Sequence, residues 1–486
     1  MLNALLALGS AALLILSFPR FDFPWLIAVA LTPLLVAAYR EPRPLMRFAL
    51  GWLTGAVCLA GITDWIRFVV TFHGNLGAAP GWAVFVLYCL AKGLYFGVFA
   101  LLVRPLLGVW WAGPPVAALW VAVDRTAGSI GYVWVTLGNA GANMSIPMRL
   151  APIAGVHALS FVFVMMATSL ALVVLRRPRR HLVWLLALPL LILLPPLPEA
   201  RSGDAEAVLV QPNFDESATW TREDVDRALR RMIVLSMQAA IRGPAPELVV
   251  WPETPAPFYY DDDPEFRRHA ANLARVTRAH FLFGTVAHTP QRAPLNSALL
   301  LSPAGDPVAR YDKIELVPFG EYVPWPFRFA GKIVSEVGDF EPGRRVVVPL
   351  VGGHRIGSFI CYESAFAGLV RRFVRDGAEV LFNLSNDGYF GRSLSARGQH
   401  LLLVRMRAAE NARWMLRATN DGLSAAVDPA GRVVDRLPAF TETSARVRFA
   451  YSRGQTFYTR YGDWFAWTCV VASIAALAGR AARMRG

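Results

Sequence analysis

Apolar residues are spread unevenly along this chain. They gather into long runs at about 2–18, 24–39, 48–66, 79–103, 106–123, 150–175 and 182–197, with an eighth at about 464–479. A helix needs about 20 residues to cross the hydrocarbon layer, and about 17 is the lower limit. The pattern therefore predicts about eight transmembrane helices. Between the seventh run and the eighth the pattern changes. From about 205 to 450, short β-rich runs such as 207–210, 248–250 and 355–360 alternate with stretches at 223–242 and 399–417, where apolar residues recur every three or four positions. That alternation predicts a soluble α/β domain, long enough for one core with a large sheet. The chain thus divides into seven transmembrane helices over 1–204, an α/β domain over 205–450, and a final transmembrane helix with a basic tail over 451–486.

Composition agrees with this division. With 55% hydrophobic and 17% charged residues, the chain departs from an ordinary soluble protein. Four cysteines in 486 residues exclude a disulfide scaffold. The net charge of +14 raises the question of nucleic acid, and its distribution answers it: residues 1–200 carry a surplus of 8, 201–460 of 4 and 461–486 of 2. Most of the surplus lies in the apolar ends, where it orients a membrane protein, and not in the polar middle where a nucleic-acid groove would form.

With the amino terminus cytoplasmic, the inner connections hold Arg40, Arg43 and Arg47, then Arg104, then Arg176, Arg177, Arg179 and Arg180, and finally Arg480, Arg483 and Arg485. Basic residues favour the cytoplasmic side, so the α/β domain is expected outside it. No Lys or Arg precedes Arg20 and further runs follow at once, so the first run reads as a retained anchor and not a cleaved signal.

Cys58, Cys89 and Cys469 fall in predicted spans, which leaves Cys361 as the only cysteine of the α/β domain. A lone thiol there is either a buried core residue or one with a use. It stands at the end of a predicted buried strand, 355–360, where open α/β sheets present ligand-contacting residues. Two other strand ends match it: 248–250 runs into Trp251-Pro252-Glu253, and 308–312 runs into Lys313. The chain holds only three lysines, Lys92, Lys313 and Lys332. Taken singly, Glu253 reads equally as a turn or helix-start carboxylate, and Lys313 reads first as a solvated surface cation. Together with Cys361 they supply a base, an oxyanion stabiliser and a nucleophile for acyl transfer.

The blocks Trp251-Pro-Glu253, Tyr311-Asp-Lys313 and Cys361-Tyr-Glu363 resemble the Glu-Lys-Cys motifs of the nitrilase, or carbon-nitrogen hydrolase, superfamily. Leu316-Val-Pro-Phe-Gly-Glu-Tyr-Val-Pro324, set between seven predicted spans and one, is similar to a narrower family, the apolipoprotein N-acyltransferases of the bacterial inner membrane. The resemblance implies an αββα sandwich facing the periplasm. It implies Glu253 as general base, Lys313 as oxyanion stabiliser, Cys361 as nucleophile and Glu321 as a second essential carboxylate. Trp220, Tyr362 and Glu363 match further positions associated with activity, and Asn296 matches more loosely. One departure stands at Gly131-Tyr-Val-Trp134, where the family pattern is Gly-Phe-Pro-Trp.

The implied reaction moves a fatty acyl chain from a membrane phospholipid, through a Cys361 thioester, to the α-amino group of a diacylglyceryl-cysteine apolipoprotein. The alternative is a membrane-tethered amidase of the same superfamily that uses water. A transporter with a non-catalytic outer domain fits less well, because the spans hold few ionisable residues. No HExxH, CxxC or phosphate-cradling motif occurs, so no metal, cofactor or nucleotide is expected. Two features remain open: Lys92 in the fourth run, which contacts lipid, snorkels, or pairs with Asp64 or another polar group on a neighbouring helix, and the aromatic stretch Tyr322-Val-Pro-Trp-Pro-Phe-Arg-Phe329, which closes over the site, dips into the outer leaflet or packs on the core.

Overall fold

The computed structural model describes residues 1–73, 77–128, 130, 133–199, 203–215, 220–322 and 340–485. Among them four helices are long and apolar enough to cross a bilayer: Pro44–Ile62, Ala78–Leu107, Val156–Val174 and Trp464–Arg483. The first two lie against each other at close range. Gly51 and Gly55 on one face Phe96 and Gly93 on the other, and a Cβ at Gly51 would stand 2.3 Å from the Phe96 carbonyl oxygen. Small residues four apart let helix backbones approach in this way where water supplies no driving force.

The other predicted runs are shorter or broken. Leu2–Leu16 has 15 residues and Gly113–Thr126 has 14. The run at 24–39 divides into a 3₁₀ turn, Pro24–Ala28, and a helix, Thr32–Arg40. The run at 182–197 is not one α-helix: it is a 3₁₀ stretch Arg179–Leu186, one α-turn Ala187–Leu190 and a further 3₁₀ turn Leu191–Leu193. Pro189 removes a backbone donor inside it, and Pro195 and Pro196 stop it. Buried polar pairs join helix Leu2–Leu16 to its neighbours: the Thr54 hydroxyl of the long helix Pro44–Ile62 donates to the Ala7 carbonyl at 3.0 Å, and the Leu34 N–H of helix Thr32–Arg40 donates to the Ser10 hydroxyl at 2.8 Å.

The middle of the chain forms two facing six-stranded sheets. Strands of the first are β1 (Ala205–Gln211), β2 (Leu248–Val250), β3 (His280–His288), β4 (Pro294–Leu301), β5 (Pro307–Asp312) and β12 (Thr443–Phe449), in the order β12-β1-β2-β3-β4-β5. The second takes β6 (Leu350–Val351), β7 (His354–Ile360), β8 (Val380–Ser385), β9 (Met415–Thr419), β10 (Ala425–Val427) and β11 (Val433–Arg436), in the order β11-β10-β9-β8-β7-β6. Both sheets are mixed. β1, β2 and β3 run parallel, as do β7, β8 and β9, and the outer strands pair antiparallel.

Alternation along the strands builds the layers. Ala207, Leu209, Leu248, Val250, Leu282 and Leu300 point between the sheets, in one core with Phe359, Leu381 and Phe382. Their neighbours Val208, Val210, Val249, Phe281 and Phe283 point outward, onto Met232 of helix Arg222–Ala240 and Phe266 of helix Pro264–Thr277. Helices Ala367–Arg375 and Leu394–Asn411 cover the second sheet. The helix expected over 399–417 starts earlier and stops at Asn411, because Ala412 turns left-handed at φ +49° and releases Met415–Thr419 into the sheet. The acidic turn 261–263 also serves the local fold, since Asp263 caps helix Pro264–Thr277 by accepting from the N–H groups of Glu265 and Phe266.

Candidate active site

Three strand ends and the start of a fourth strand meet at the same edge of the sandwich. Glu253 follows β2, Lys313 follows β5, Asn296 lies near the start of the antiparallel β4, and Cys361 follows β7 of the opposite sheet. Gly284 on β3 makes room for the chain at Glu253, since a Cβ there would lie 2.6 Å from the Thr254 nitrogen. Lys313 is anchored through its own backbone: its N–H donates to the Asn296 carbonyl at 2.8 Å and its carbonyl accepts from the Gly343 N–H at 2.7 Å.

The Lys313 ammonium is fully buried between two carboxylates, 3.1 Å from Glu253 Oε1 and 3.0 Å from Glu321 Oε1. Asn296 Nδ2 donates to the same two oxygens, at 2.8 Å and 2.6 Å. The second oxygens are held by backbone: Glu253 Oε2 accepts from the Asn386 N–H at 3.0 Å, and Glu321 Oε2 accepts from the Val317 N–H at 2.7 Å. Burial works to discharge the Lys313 ammonium, but the carboxylates of Glu253 and Glu321 outweigh it and hold the group firmly protonated.

Cys361 is buried, and its backbone is left-handed at φ +49°, a region that side-chain-bearing residues seldom occupy. Burial pushes its thiol far above the usual range; the Glu253 carboxylate adds to the rise, while the Lys313 ammonium and the Ser385 hydroxyl oppose it. The resting sulfur is a neutral thiol in electrostatic contact with both a carboxylate and an ammonium. Such a site can take the proton as the sulfur attacks, instead of storing a thiolate.

The remaining sequence candidates fall in different places. Glu363 is fully buried and clamps two segments of the site together. Its Oε1 accepts from the Tyr311 hydroxyl at 2.6 Å and the Ile314 N–H at 2.7 Å, beside Lys313, and its Oε2 accepts from the Ile360 N–H at 2.7 Å, beside Cys361. Burial raises its carboxyl to about 7 against those donors. Tyr362 points the other way, toward the membrane helices. Its hydroxyl accepts from the Val133 N–H at 2.9 Å, and its ring stacks on Trp134. Trp220 packs edge-to-face on Phe214 at the outer face of the first sheet. Its described contacts do not reach the Lys313 cluster.

Residues 323–329 of the aromatic stretch, and Gly131 and Tyr132 of the departing motif, lie outside the described residues. Lys92 does not pair with Asp64, which takes Arg20 as its partner at 3.3 Å. Its ammonium donates instead to the carbonyls of Gly128 and Ile130. Lys92, Tyr88 and Tyr95 line a cavity of about 460 Å³ together with Ala365, Phe366 and Gly368, from the turn that begins at Cys361 and the helix after it. That volume falls within the range of about 300–1,000 Å³ typical of ligand sites.

Sequence reading missed Ser385 and Asn386. Ser385 ends β8 and Asn386 follows it as Glu253 follows β2, and the polar cluster Asn383-Leu-Ser-Asn-Asp387 at the end of an apolar β run was the available signal. Among the described residues no group of three His, Cys, Asp or Glu side chains is placed to hold a metal.

Known proteins resemble both halves of the chain. The sequence model for the carbon-nitrogen hydrolases matches residues 207–454, and the one for the apolipoprotein N-acyltransferase N-terminal domain matches 10–169. An apolipoprotein N-acyltransferase of Geobacter metallireducens is 36% identical over 98% of this chain and 95% of its own length. One from Azotobacter vinelandii is 32% identical over 95% of this chain and 92% of its own. Among solved structures, an amidase of the nitrilase superfamily from Nesterenkonia aligns with 54% of this chain and 95% of its own, at 20% identity and a TM-score of 0.41.

Proposed function

The chain belongs to the apolipoprotein N-acyltransferase family, and on that premise we propose that it moves a fatty acyl chain from a membrane phospholipid to the α-amino group of a diacylglyceryl-cysteine apolipoprotein, with Cys361 as the temporary carrier. The observation that carries this reading is the buried Glu253–Lys313 pair beside the Cys361 thiol, in a sandwich that shares a cavity with helices long enough to cross a bilayer.

In the first half-reaction the Cys361 sulfur gives its proton to Glu253 and attacks the ester carbonyl. Negative charge gathers on the carbonyl oxygen, where the Lys313 ammonium stabilises it. The carbon–oxygen bond breaks, the departing lysophospholipid oxygen takes the proton from Glu253, and a thioester remains. In the second half-reaction the incoming amine attacks the thioester and loses a proton to Glu253. The carbon–sulfur bond breaks, the sulfur recovers the proton, and the acyl group leaves as an amide. Asn296 and Glu321 keep Lys313 and Glu253 in register throughout. The kinetics are ping-pong.

The eight-pass arrangement, with the sandwich on the periplasmic side of a bacterial inner membrane, is part of the same reading. Eleven of the sixteen basic residues outside 201–460 then face the cytoplasm. The broken run supports it too: at about 2.0 Å per 3₁₀ residue and about 1.5 Å per α residue, 179–193 extends to roughly 28 Å, close to the hydrocarbon thickness of about 30 Å. Val183, Leu186, Leu190 and Leu193 along it are exposed, as lipid-facing side chains would be.

Incubation with a phospholipid labelled in its sn-1 acyl chain and a diacylglyceryl peptide tests the proposal. The label is expected first on the peptide containing Cys361 and then as an amide on the acceptor. Release of free fatty acid with an unmodified acceptor would make water the acceptor and the protein a membrane-tethered amidase.

A further inference from the structure

The strained backbone at Cys361 is held by groups that take no part in the proton transfers above. The Cys361 carbonyl lies 3.1 Å from His400 Nε2, with Asn383 Nδ2 at a longer 3.5 Å. His400 is fully buried on helix Leu394–Asn411. Its other nitrogen, Nδ1, lies 3.0 Å from the Arg417 guanidinium and 3.1 Å from Asp387 Oδ1. Arg417 and Asp387 are fully buried too, and joined to each other at 2.6 Å.

These contacts select one form of the ring. A guanidinium can only donate, so the nitrogen it approaches must offer a lone pair, and the ring proton then sits on Nε2, facing the Cys361 carbonyl. The alternative neutral tautomer would set the Nε2 lone pair against that carbonyl oxygen. An imidazolium would suit Asp387 but would stand beside the Arg417 cation, with all three side chains closed off from the surface. Burial and Arg417 together keep the ring neutral against the pull of Asp387.

We infer that His400 is a positioning residue for the acyl-transfer reaction: its Nε2–H, made available by Arg417 at Nδ1, fixes the Cys361 carbonyl and so holds the nucleophile in its left-handed turn, aimed at Glu253 and Lys313. The inference rests on reading Cys361 as the nucleophile. It gives the buried Asp387–Arg417–His400 chain a role in placing the Cys361 backbone, beyond the electrostatic push that Asp387 exerts on the thiol and its contact with the Ser385 hydroxyl at 3.0 Å. It also distinguishes the two ring nitrogens, which a purely structural role would not.

Two carboxamide replacements separate them. In His400→Gln the side-chain N–H reaches the place of Nε2 and keeps the bond to Cys361. In His400→Asn it reaches only the place of Nδ1, keeping company with Arg417 and Asp387 but leaving the carbonyl alone. The readouts are single-turnover thioester formation in the full-length protein, followed by mass spectrometry, and the KM for phospholipid. His400→Gln is expected to stay within about three-fold of the parent, and His400→Asn to fall about ten- to a hundred-fold in rate, the worth of one buried hydrogen bond, with KM unchanged.

Equal rates in the two variants, or a faster Asn variant, would overturn the inference, the second outcome assigning His400 to the Arg417–Asp387 network alone. Alkylation of Cys361 by iodoacetamide repeats the comparison without an acyl donor and is expected to rank the variants in the same order. A parent protein that forms no thioester while still showing that ranking would defeat the functional reading and leave the positioning role standing.

Discussion

Glu253 and Glu321 direct the same oxygen, Oε1, at the same two donors, Lys313 Nζ and Asn296 Nδ2. Their other oxygens diverge, Glu253 Oε2 to the Asn386 N–H and Glu321 Oε2 to the Val317 N–H, so one carboxylate is tied to the second sheet and the other to the loop after Lys313. The shared ammonium makes them partners, but on the proposed mechanism only Glu253 exchanges protons with substrate.

The two glutamines at these positions should therefore behave differently. Glu253→Gln removes the base and is expected to lower thioester formation by at least about a thousand-fold. Glu321→Gln keeps an acceptor for Lys313 and is expected to cost about ten- to a hundred-fold, with a thioester still detectable by mass spectrometry. Equal losses would mean that the carboxylates share the proton transfer.

Removing the cation has a structural cost as well. Lys313→Met leaves the buried Glu253 carboxylate and the largely covered Glu321 carboxylate facing each other across Asn296, and breaking a buried pair costs about 3–5 kcal/mol. Thermal unfolding in detergent should show the loss. Adding Glu321→Gln to Lys313→Met removes the like-charge contact, so it is expected to recover part of the stability while activity stays absent. A double variant no more stable than Lys313→Met would place the cost in packing and not in charge.

The pH response of Cys361 follows from its surroundings. Burial and the Glu253 carboxylate raise the thiol far above its usual range. A raised thiol pKa means that the sulfur stays protonated through neutral pH and ionises only well above it. Alkylation of Cys361 by iodoacetamide, followed from about pH 6 to about pH 9, should rise continuously without levelling off. A plateau near neutrality would reveal a stored thiolate ion pair and remove the need for Glu253 as base.

Glu363 titrates in the opposite sense to an ordinary paired carboxylate. Its folded value of about 7 stands above the value of about 4.3 for an exposed glutamate. Its contribution to stability is therefore present below about pH 4 and is lost as pH rises through about 7. Glu363→Gln should flatten the stability profile between those limits. It should also lower thioester formation, because the clamp between Ile314 and Ile360 loses one of its two acceptor oxygens.

The parts of the site that were legible in the sequence are those marked by side-chain type at a strand end: Glu253 after β2, Lys313 after β5 and Cys361 after β7. Glu321 was legible only through a family motif, since nothing in its spacing says that a loop carboxylate turns back on a lysine. Asn386 acts through its backbone N–H, which leaves no mark in composition. His400 sits on a helix whose apolar pattern reads as packing. The overrun of the helix expected at 399–417 has a local cause, the left-handed Ala412, and proline placement broke the apolar run at 182–197. The spacing of Gly51 and Gly55, and of Gly93 and Gly97, was present in the sequence, but only the structure shows those surfaces facing each other.

The cavity beside the nucleophile turn gives the proposed donor a place, and its shape can be altered without touching the Glu253–Lys313–Cys361 cluster. Gly368 lines the wall in the first turn of helix Ala367–Arg375, and a Cβ added there meets nothing within 4 Å. Gly368→Phe should fold normally and fill part of the cavity. If an acyl chain lies there, transfer from a palmitoyl phospholipid is expected to fall about ten-fold or more, while transfer from a hexanoyl analogue stays within about two-fold, since each displaced methylene forfeits about 0.8 kcal/mol of burial. A loss equal for both donors would put the phenylalanine in the path of the ester itself. No loss for either would send the chain along a different face of the membrane helices.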